Sequence, residues 1–194
     1  MDGDVFTYPY HVVKESHYDV CGVKILQPVT PDQNYFERKI LCPGVLCAVT
    51  IGIVGCDYPL NRHPGWEKEG IGYYADDGKL YNEHPRSDEI LGPICTIGDC
   101  MGCGVDFESE GSPDFVKVFF TKNGKQVGDF VKFKKPKSGL YPLMGMHSRG
   151  EQFQYLGHWC YLPKQGKHMQ NQFMCIYLDG MCILRALNND TQSS

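Results

Sequence analysis

The chain has 194 residues, 42% of them hydrophobic and 22% charged, with a formal net charge of −4. That length suits one domain of ordinary size with a real core, and the composition excludes a wholly disordered chain. The negative balance gives no reason to expect nucleic acid or an acidic membrane surface, and no apolar run approaches a membrane span.

The N-terminus, Met1 to Val5, is acidic and lacks the basic-then-apolar order of a signal peptide. A cytoplasmic location is expected, with the nucleus left open. The ten cysteines are therefore read as reduced thiols. The one CxxC, Cys100 to Cys103, lies in an alternating segment. A strand points residues an odd number apart to opposite sides. A second CxxC at zinc-finger spacing is missing, so neither a metal nor a cofactor is expected.

Residues 1–17 show no period and read as a loose arm or a docking strand. Asp19 to Leu26 reads as a strand and Gln27 to Asp32 as a proline turn. Asn34 to Leu41 is a strand with Phe36 and Ile40 inward. Arg38 falls on that same face, which demands a carboxylate partner, a sheet edge or a different register. Leu46 to Val54 is nearly all apolar, as suits a strand covered on both faces. Gly70 to Tyr74 and Lys79 to Tyr81 flank Asp76-Asp77-Gly78, where Asp-Gly signals a type I′ turn.

Asn82 to Pro93 is a polar loop. Met101 to Phe107 alternates, with Gly102 and Gly104 on one face, where something bulky can lie close to the backbone. Val116 to Thr121 and Gln126 to Phe133 make a hairpin through Asn123-Gly124. The lysines from Lys132 to Lys137 suit a protected sheet edge better than a nucleic-acid patch. Tyr141 to Met146 and Gln152 to Leu156 are strands around His147 to Gly150. Nothing long before residue 165 shows a helical period. Short strands with strong turns argue an all-β fold, an antiparallel β-sandwich. The run Phe173 to Leu187 reads as a helix or an extra strand, and the last seven residues as disordered.

The loop Asp57 to Trp66 concentrates recognition chemistry. Tyr58, Arg62 and Trp66 are the side-chain types that dominate binding hot spots. Tyr58 and Trp66 can instead pack as struts of the loop, the reading preferred for Trp66. Ser148 beside His147 lacks the Gly-x-Ser-x-Gly elbow of a hydrolase. The turn accounts for Asp76 and Asp77. Cys56 is the one thiol that a cysteine-dependent enzyme would use.

The pieces Tyr35-Phe36-Glu37, Ile51-Gly52-Ile53, Asp57-Tyr58-Pro59-Leu60 and Pro64-Gly65-Trp66 occur in an order that resembles the SPRY domain family. Ile71-Gly72-Tyr73, Gly98-Asp99, Gly102 to Asp106, Phe119 to Lys125, Leu140-Tyr141-Pro142 and Gly145 to Ser148 continue it. The resemblance spans about residues 20–156. It implies a bent sandwich of two antiparallel sheets, a concanavalin-like jelly roll. The expected organisation is an N-terminal arm over 1–17, a SPRY domain over 18–160 and an extension over 161–194.

The resemblance also implies a non-enzymatic module. Loops at one end of the sandwich would hold a partner protein or peptide, with a recruitment or scaffold role such as ubiquitin ligation. Carried over by position, the partner-binding residues are Val29 and Thr30, then Asp57, Tyr58, Asn61, Arg62, His63 and Trp66, then His147, Ser148 and Arg149. A monomer is expected, since nothing resembles a coiled coil. Two other readings stand beside this one: a cysteine-dependent or hydrolytic enzyme, and a structural domain whose binding face is covered by its own tail.

Overall fold

A computed structural model describes residues 4–8, 20–108, 113–158, 173–178 and 181–186. Among the described residues every regular element is a strand. In chain order they are β1 (Val5–Thr7), β2 (Cys21–Ile25), β3 (Tyr35–Pro43), β4 (Thr50–Val54), β5 (Gly70–Tyr74), β6 (Leu80–Asn82) and β7 (Cys100–Asp106). Then come β8 (Phe115–Lys122), β9 (Lys125–Lys134), β10 (Tyr141–Met146), β11 (Glu151–His158), β12 (Phe173–Leu178) and β13 (Met181–Ala186).

They form two sheets. One has the order β1-β11-β3-β7-β8-β9, the other β13-β12-β2-β10-β4-β5-β6. Neighbouring strands run antiparallel throughout both. Between the sheets lies one core, containing Val23, Ile25, Phe36, Ile40, Ile51, Ile71, Tyr73, Met101, Cys103, Phe120, Met144 and Phe153. Alternation produces it: Cys21, Val23 and Ile25 of β2, Ile51 and Ile53 of β4, and Met101, Cys103 and Val105 of β7 all turn inward. Cys103 is buried in that core while Cys100 on the same strand is only partly covered, as their odd spacing requires.

Several expectations hold in detail. Asn123 and Gly124 both have positive φ, 52° and 73°, as a type I′ turn needs. β9 is an edge strand and carries Lys132 and Lys134 of that lysine run. The strand in the N-terminal arm docks, with Phe6 opposite Phe153.

Other expectations are corrected. The Asp76–Gly78 turn is not type I′, because only Gly78 among its residues has positive φ (68°). The turn is longer: the Gly78 N–H reaches the Tyr74 carbonyl and the Tyr74 N–H the Lys79 carbonyl. β4 begins at Thr50, not Leu46. Val45 and Leu46 are exposed, in a turn closed by the Cys47 N–H on the Pro43 carbonyl. Of the helix and the extra strand expected for the apolar run of the tail, the structure shows strand. It is the hairpin β12–β13, added to the edge of β2 with Ile176 opposite Val23. The expected disorder of the last seven residues lies outside the described residues.

Candidate functional site

Glycines decide where the loop between β4 and β5 goes. Gly22, Gly145, Gly52 and Gly72 lie on four adjacent strands, β2, β10, β4 and β5, and share the outer face of the seven-stranded sheet. Without side chains they leave a shallow track, and residues 57–66 lie in it. A Cβ on Gly22 would stand 2.5 Å from the Leu60 carbonyl oxygen, and one on Gly52 2.7 Å from Pro64 Cβ. One on Gly72 would stand 2.3 Å from the Pro64 carbonyl oxygen, and one on Gly145 2.3 Å from His63 Nδ1. This is why β2, β4 and β5 are buried on both faces.

The loop is held from inside. The Tyr58 hydroxyl donates to the His63 carbonyl at 2.6 Å and accepts the Glu67 N–H at 3.0 Å, tying the two limbs together. Val54, Tyr58, Leu60 and Leu143 form a second small core beneath it. His63 is 1% exposed. Its Nδ1 shares a hydrogen bond with Thr50 Oγ1 at 2.9 Å, and its Nε2 lies 3.4 Å from His147 Nδ1. Trp66 packs edge-on against the His63 ring, with centroids 4.9 Å apart. Burial, with His147 and Arg38 adding to it, holds the His63 pKa well below the usual imidazole value, so the ring is neutral.

Beneath the tip lies Arg38, fully buried. Its register on β3 is as the alternation says, and the strand is central, not an edge. Its guanidinium reaches across the sandwich and donates to the Thr50 carbonyl at 2.7 Å, with the Gly145 carbonyl at 3.4 Å. It lies 4.4 Å over the Phe153 ring. Burial pulls its pKa down to about 9, and the carboxylate of Glu151 pushes the other way. The cation therefore persists at neutral pH.

Glu151 is itself buried and works on the loops. Its carboxylate accepts the Ala48 N–H at 2.8 Å, the His147 N–H at 2.6 Å and the Ser148 hydroxyl at 2.7 Å. Ser148 Oγ in turn accepts the Leu46 N–H at 3.0 Å. Two buried charges thus divide the work: Glu151 fixes the turns 147–150 and 43–47, and Arg38 holds the carbonyls of Thr50 and Gly145 beneath the tip of the long loop.

The three carried-over loops do not share one end. β10 runs against β2 and β4, with Met146 opposite Cys21 and Gly145 opposite Thr50. The turn 147–150 therefore leaves the end where β2 and β4 begin. The loop 27–32 leaves the opposite end, where the Val29 N–H meets the Leu140 carbonyl. The length of β10 separates them, about 17 Å at 3.4 Å per residue.

Asp57, exposed, follows the finishing end of β4, on the side of Thr30 and buried Val29. His63 and Trp66 meet His147 at the other end, which their chain neighbours Asn61, Arg62, Ser148 and Arg149 share. Within that group, His63 and Ser148 are buried supports, and so is Tyr58 behind them. Asn61, Arg62, Trp66 and His147 are partly exposed, and Arg149 is exposed. Arg62 Nε pairs with Glu67 at 3.4 Å.

Sequence reasoning missed four neighbours at this end. Val45, Leu46, Ile94 and Ile97 are exposed by 77%, 53%, 59% and 61%. Their two loops meet where Cys47 Sγ lies 3.5 Å from the Cys95 carbonyl. Polar residues lining a loop are easy to pick from a sequence; aliphatic residues at a loop tip look like strand.

Burial pushes Cys47, Cys95, Cys100 and Cys103 above the ordinary thiol range, which keeps them protonated.

The SPRY domain family matches residues 33–157. SPRY domain-containing protein 3 of Homo sapiens is 38% identical over 152 residues, which cover 78% of this chain and 33% of that protein. The Ran-binding proteins 9/10 homolog of Drosophila melanogaster is 32% identical over 145 residues, covering 74% of this chain and 14% of that one. The chain thus spans about a third or less of the length of these relatives. A crystal structure of a human SPRY domain superposes with a TM-score of 0.67 at 36% identity, over 80% of this chain and 92% of the other. The SPRY domain of human HERC1 superposes at 0.54 with 18% identity, a likeness of fold.

Proposed function

Since the chain belongs to the SPRY domain family, we propose that it is a non-enzymatic module that holds a short segment of a partner protein. The contact surface would be the end where the tip of the 57–66 loop meets the turns 43–47 and 147–150. One observation carries this reading. Val45, Leu46, Ile94 and Ile97 are exposed together at the end that also carries Arg62, Trp66 and His147. Exposed aliphatics grouped beside aromatic and cationic side chains mark an interaction surface.

The surface is also preorganised. Its backbone is pinned by Glu151, Arg38 and Tyr58 before any partner arrives, which lowers the ordering cost of binding. The segment that fits would bring apolar side chains to the aliphatics. Recruitment of that partner into a scaffold or ubiquitin-ligase complex in the cytoplasm is the finest part of the proposal and rests on the family resemblance.

The test is capture from cell extract by wild type and by a Leu46→Ala, Arg62→Ala double variant with unchanged thermal unfolding. Both side chains are at the surface, so the fold should tolerate the change. A true contact should weaken by about 1–3 kcal/mol per hot-spot residue. A partner bound by wild type and lost by the variant supports this end. Equal binding by both moves the contact elsewhere.

A further inference from the structure

Strands β2, β10 and β4 are neighbours, and at one end they bring three reactive side chains together. Lys24 on β2 stands opposite Leu143, and Tyr141 lies two residues earlier on β10. Cys56 follows β4, whose Val54 pairs with Tyr141. Lys24 is 8% exposed, and its ammonium donates to the Cys56 carbonyl at 2.5 Å. The Tyr141 hydroxyl donates to the Cys56 sulfur. The Cys56 N–H donates to Ser138 Oγ at 3.0 Å, which fixes the backbone that carries the thiol. Cys56 is itself partly exposed. The cluster thus has an outer thiol that solution reaches and an inner amine that it barely reaches. Among the described residues no carboxylate lies within ion-pair distance of Lys24. Burial lowers its pKa, against the pull of Cys56 and Asp57. Such a lysine gives up its proton more readily than an exposed one, and only the free amine is a nucleophile.

We propose that Cys56 and Lys24 form a relay that carries an acyl group from a small thioester in solution to the buried amine, so that Lys24 is a site of acylation. The Cys56 thiol loses its proton to solvent, and the Tyr141 hydroxyl donates to the thiolate. The sulfur attacks the carbonyl carbon of the thioester. A bond forms to Cys56, the bond to the donor's sulfur breaks, and the donor's thiol leaves with a proton from solvent. The neutral Lys24 amine then attacks the same carbonyl carbon. A carbon–nitrogen bond forms, the bond to Cys56 breaks, and the proton shed by the nitrogen goes to the Cys56 sulfur. The net change is thioester plus amine to amide plus thiol, with no oxidant or reductant. The amide keeps one N–H for the Cys56 carbonyl.

Two physical terms favour the relay over direct attack by Lys24. A thiol is the stronger nucleophile near neutral pH, and it is the member of the pair that solution reaches. Transfer between groups already held together then gains from proximity, and Lys24 Nζ lies on the very residue that would carry the acyl group. The cluster sits at the finishing end of β4, on the side of Thr30 and not of the turns 43–47 and 147–150. The proposal therefore does not rest on the partner-binding reading.

The test is incubation of the full chain with acetyl-coenzyme A at pH 8, with the acetylated positions and their rates read by mass spectrometry. Lys24 should be acetylated at least about tenfold faster than the exposed Lys125. Cys56→Ala, at a partly exposed position, should slow Lys24 at least about tenfold and leave Lys125 unchanged. Lys24→Arg keeps a donor for the Cys56 carbonyl and should let a hydroxylamine-sensitive acetyl group persist on Cys56. A wild-type chain whose Lys24 stays unmodified while Lys125 reacts overturns the proposal. So does a folded Cys56→Ala chain that acetylates Lys24 at the wild-type rate, or a Lys24→Arg chain whose Cys56 never carries an acetyl group.

Discussion

The two outer faces of the sandwich both have glycine floors, and they use them differently. On the seven-stranded sheet, Gly22, Gly145, Gly52 and Gly72 lie under a loop, so backbone meets backbone. On the six-stranded sheet, Gly102 and Gly104 lie under rings. A Cβ on Gly104 would stand 2.2 Å from the Phe119 ring, and one on Gly102 2.2 Å from the Tyr35 hydroxyl oxygen. Phe119 and Tyr35 stack with centroids 5.9 Å apart, and Tyr35 is fastened to Thr121 at 2.7 Å. A ring is the free end of a side chain and can tilt away. A loop pinned at both limbs cannot. The same sequence device therefore makes a rigid platform on one face and an adjustable filler on the other.

Matched substitutions should separate the two with the largest effect. Gly52→Ala sets a methyl 2.0 Å from the Ile71 carbonyl oxygen and against Pro64, with backbone on one side and a pinned loop on the other. Such overpacking should cost about 3 kcal/mol or more. Gly104→Ala meets the Phe119 ring first, and the unfolded chain loses some entropy in compensation, so its net cost should be about 1 kcal/mol or less. Denaturant unfolding of both variants measures the difference. Equal costs would mean that the loop yields as readily as a ring, and the comparison would fail.

Tyr58→Phe acts on the loop without touching its floor. It removes the hydroxyl between the His63 carbonyl and the Glu67 N–H, two groups on opposite limbs. Leaving buried partners unpaired should cost about 1–2 kcal/mol. It should also speed hydrogen exchange at Trp66 and Glu67 while leaving Phe119 and Phe120 protected. Uniform loss of protection over both sheets would show that the loop is no separate unit.

Much of this was legible in the sequence because the signals are local. Asn123-Gly124 specifies its turn by itself, and the alternation around Gly102 and Gly104 predicts a close neighbour without saying which. Alternation puts Arg38 on the inner face, but the carbonyls that it reaches, of Thr50 and Gly145, lie on the other sheet and leave no trace in local pattern. The same holds for His63, which reads as a surface histidine until Gly145 and Thr50 are brought beneath it. Val45 and Leu46 continue an apolar run, and the residue that breaks it is Cys47 at φ 54°, a conformation its side chain does not announce. The tail reads as a helix or an extra strand, and it is two strands. Asp179-Gly180 divides the run 173–187 into two six-residue strands, a hairpin signal as strong as Asn123-Gly124. Reading the run as one segment hid it.

The effect with the narrowest reach is a pH dependence confined to the loop-covered face. His63 is neutral in the folded chain because burial among Thr50, Trp66 and Tyr74, with His147 and Arg38 nearby, disfavours its proton. Its folded pKa is depressed below the unfolded value of 6.5. The unfolded state therefore binds the extra proton first as the pH falls. Stability from this group is complete above 6.5 and declines below it, by up to about 1.4 kcal/mol per pH unit until the folded pKa is reached. Between pH 7 and pH 5 the wild type should lose more stability than a His63→Gln variant, and the loop amides should exchange faster on acidification than those under the Phe119 ring. On the six-stranded sheet the group against Gly102 is the Tyr35 phenol, whose pKa burial raises, so it stays neutral over this range. If both variants lose stability in parallel, His63 is reached by solvent and the loop is looser than its hydrogen bonds imply.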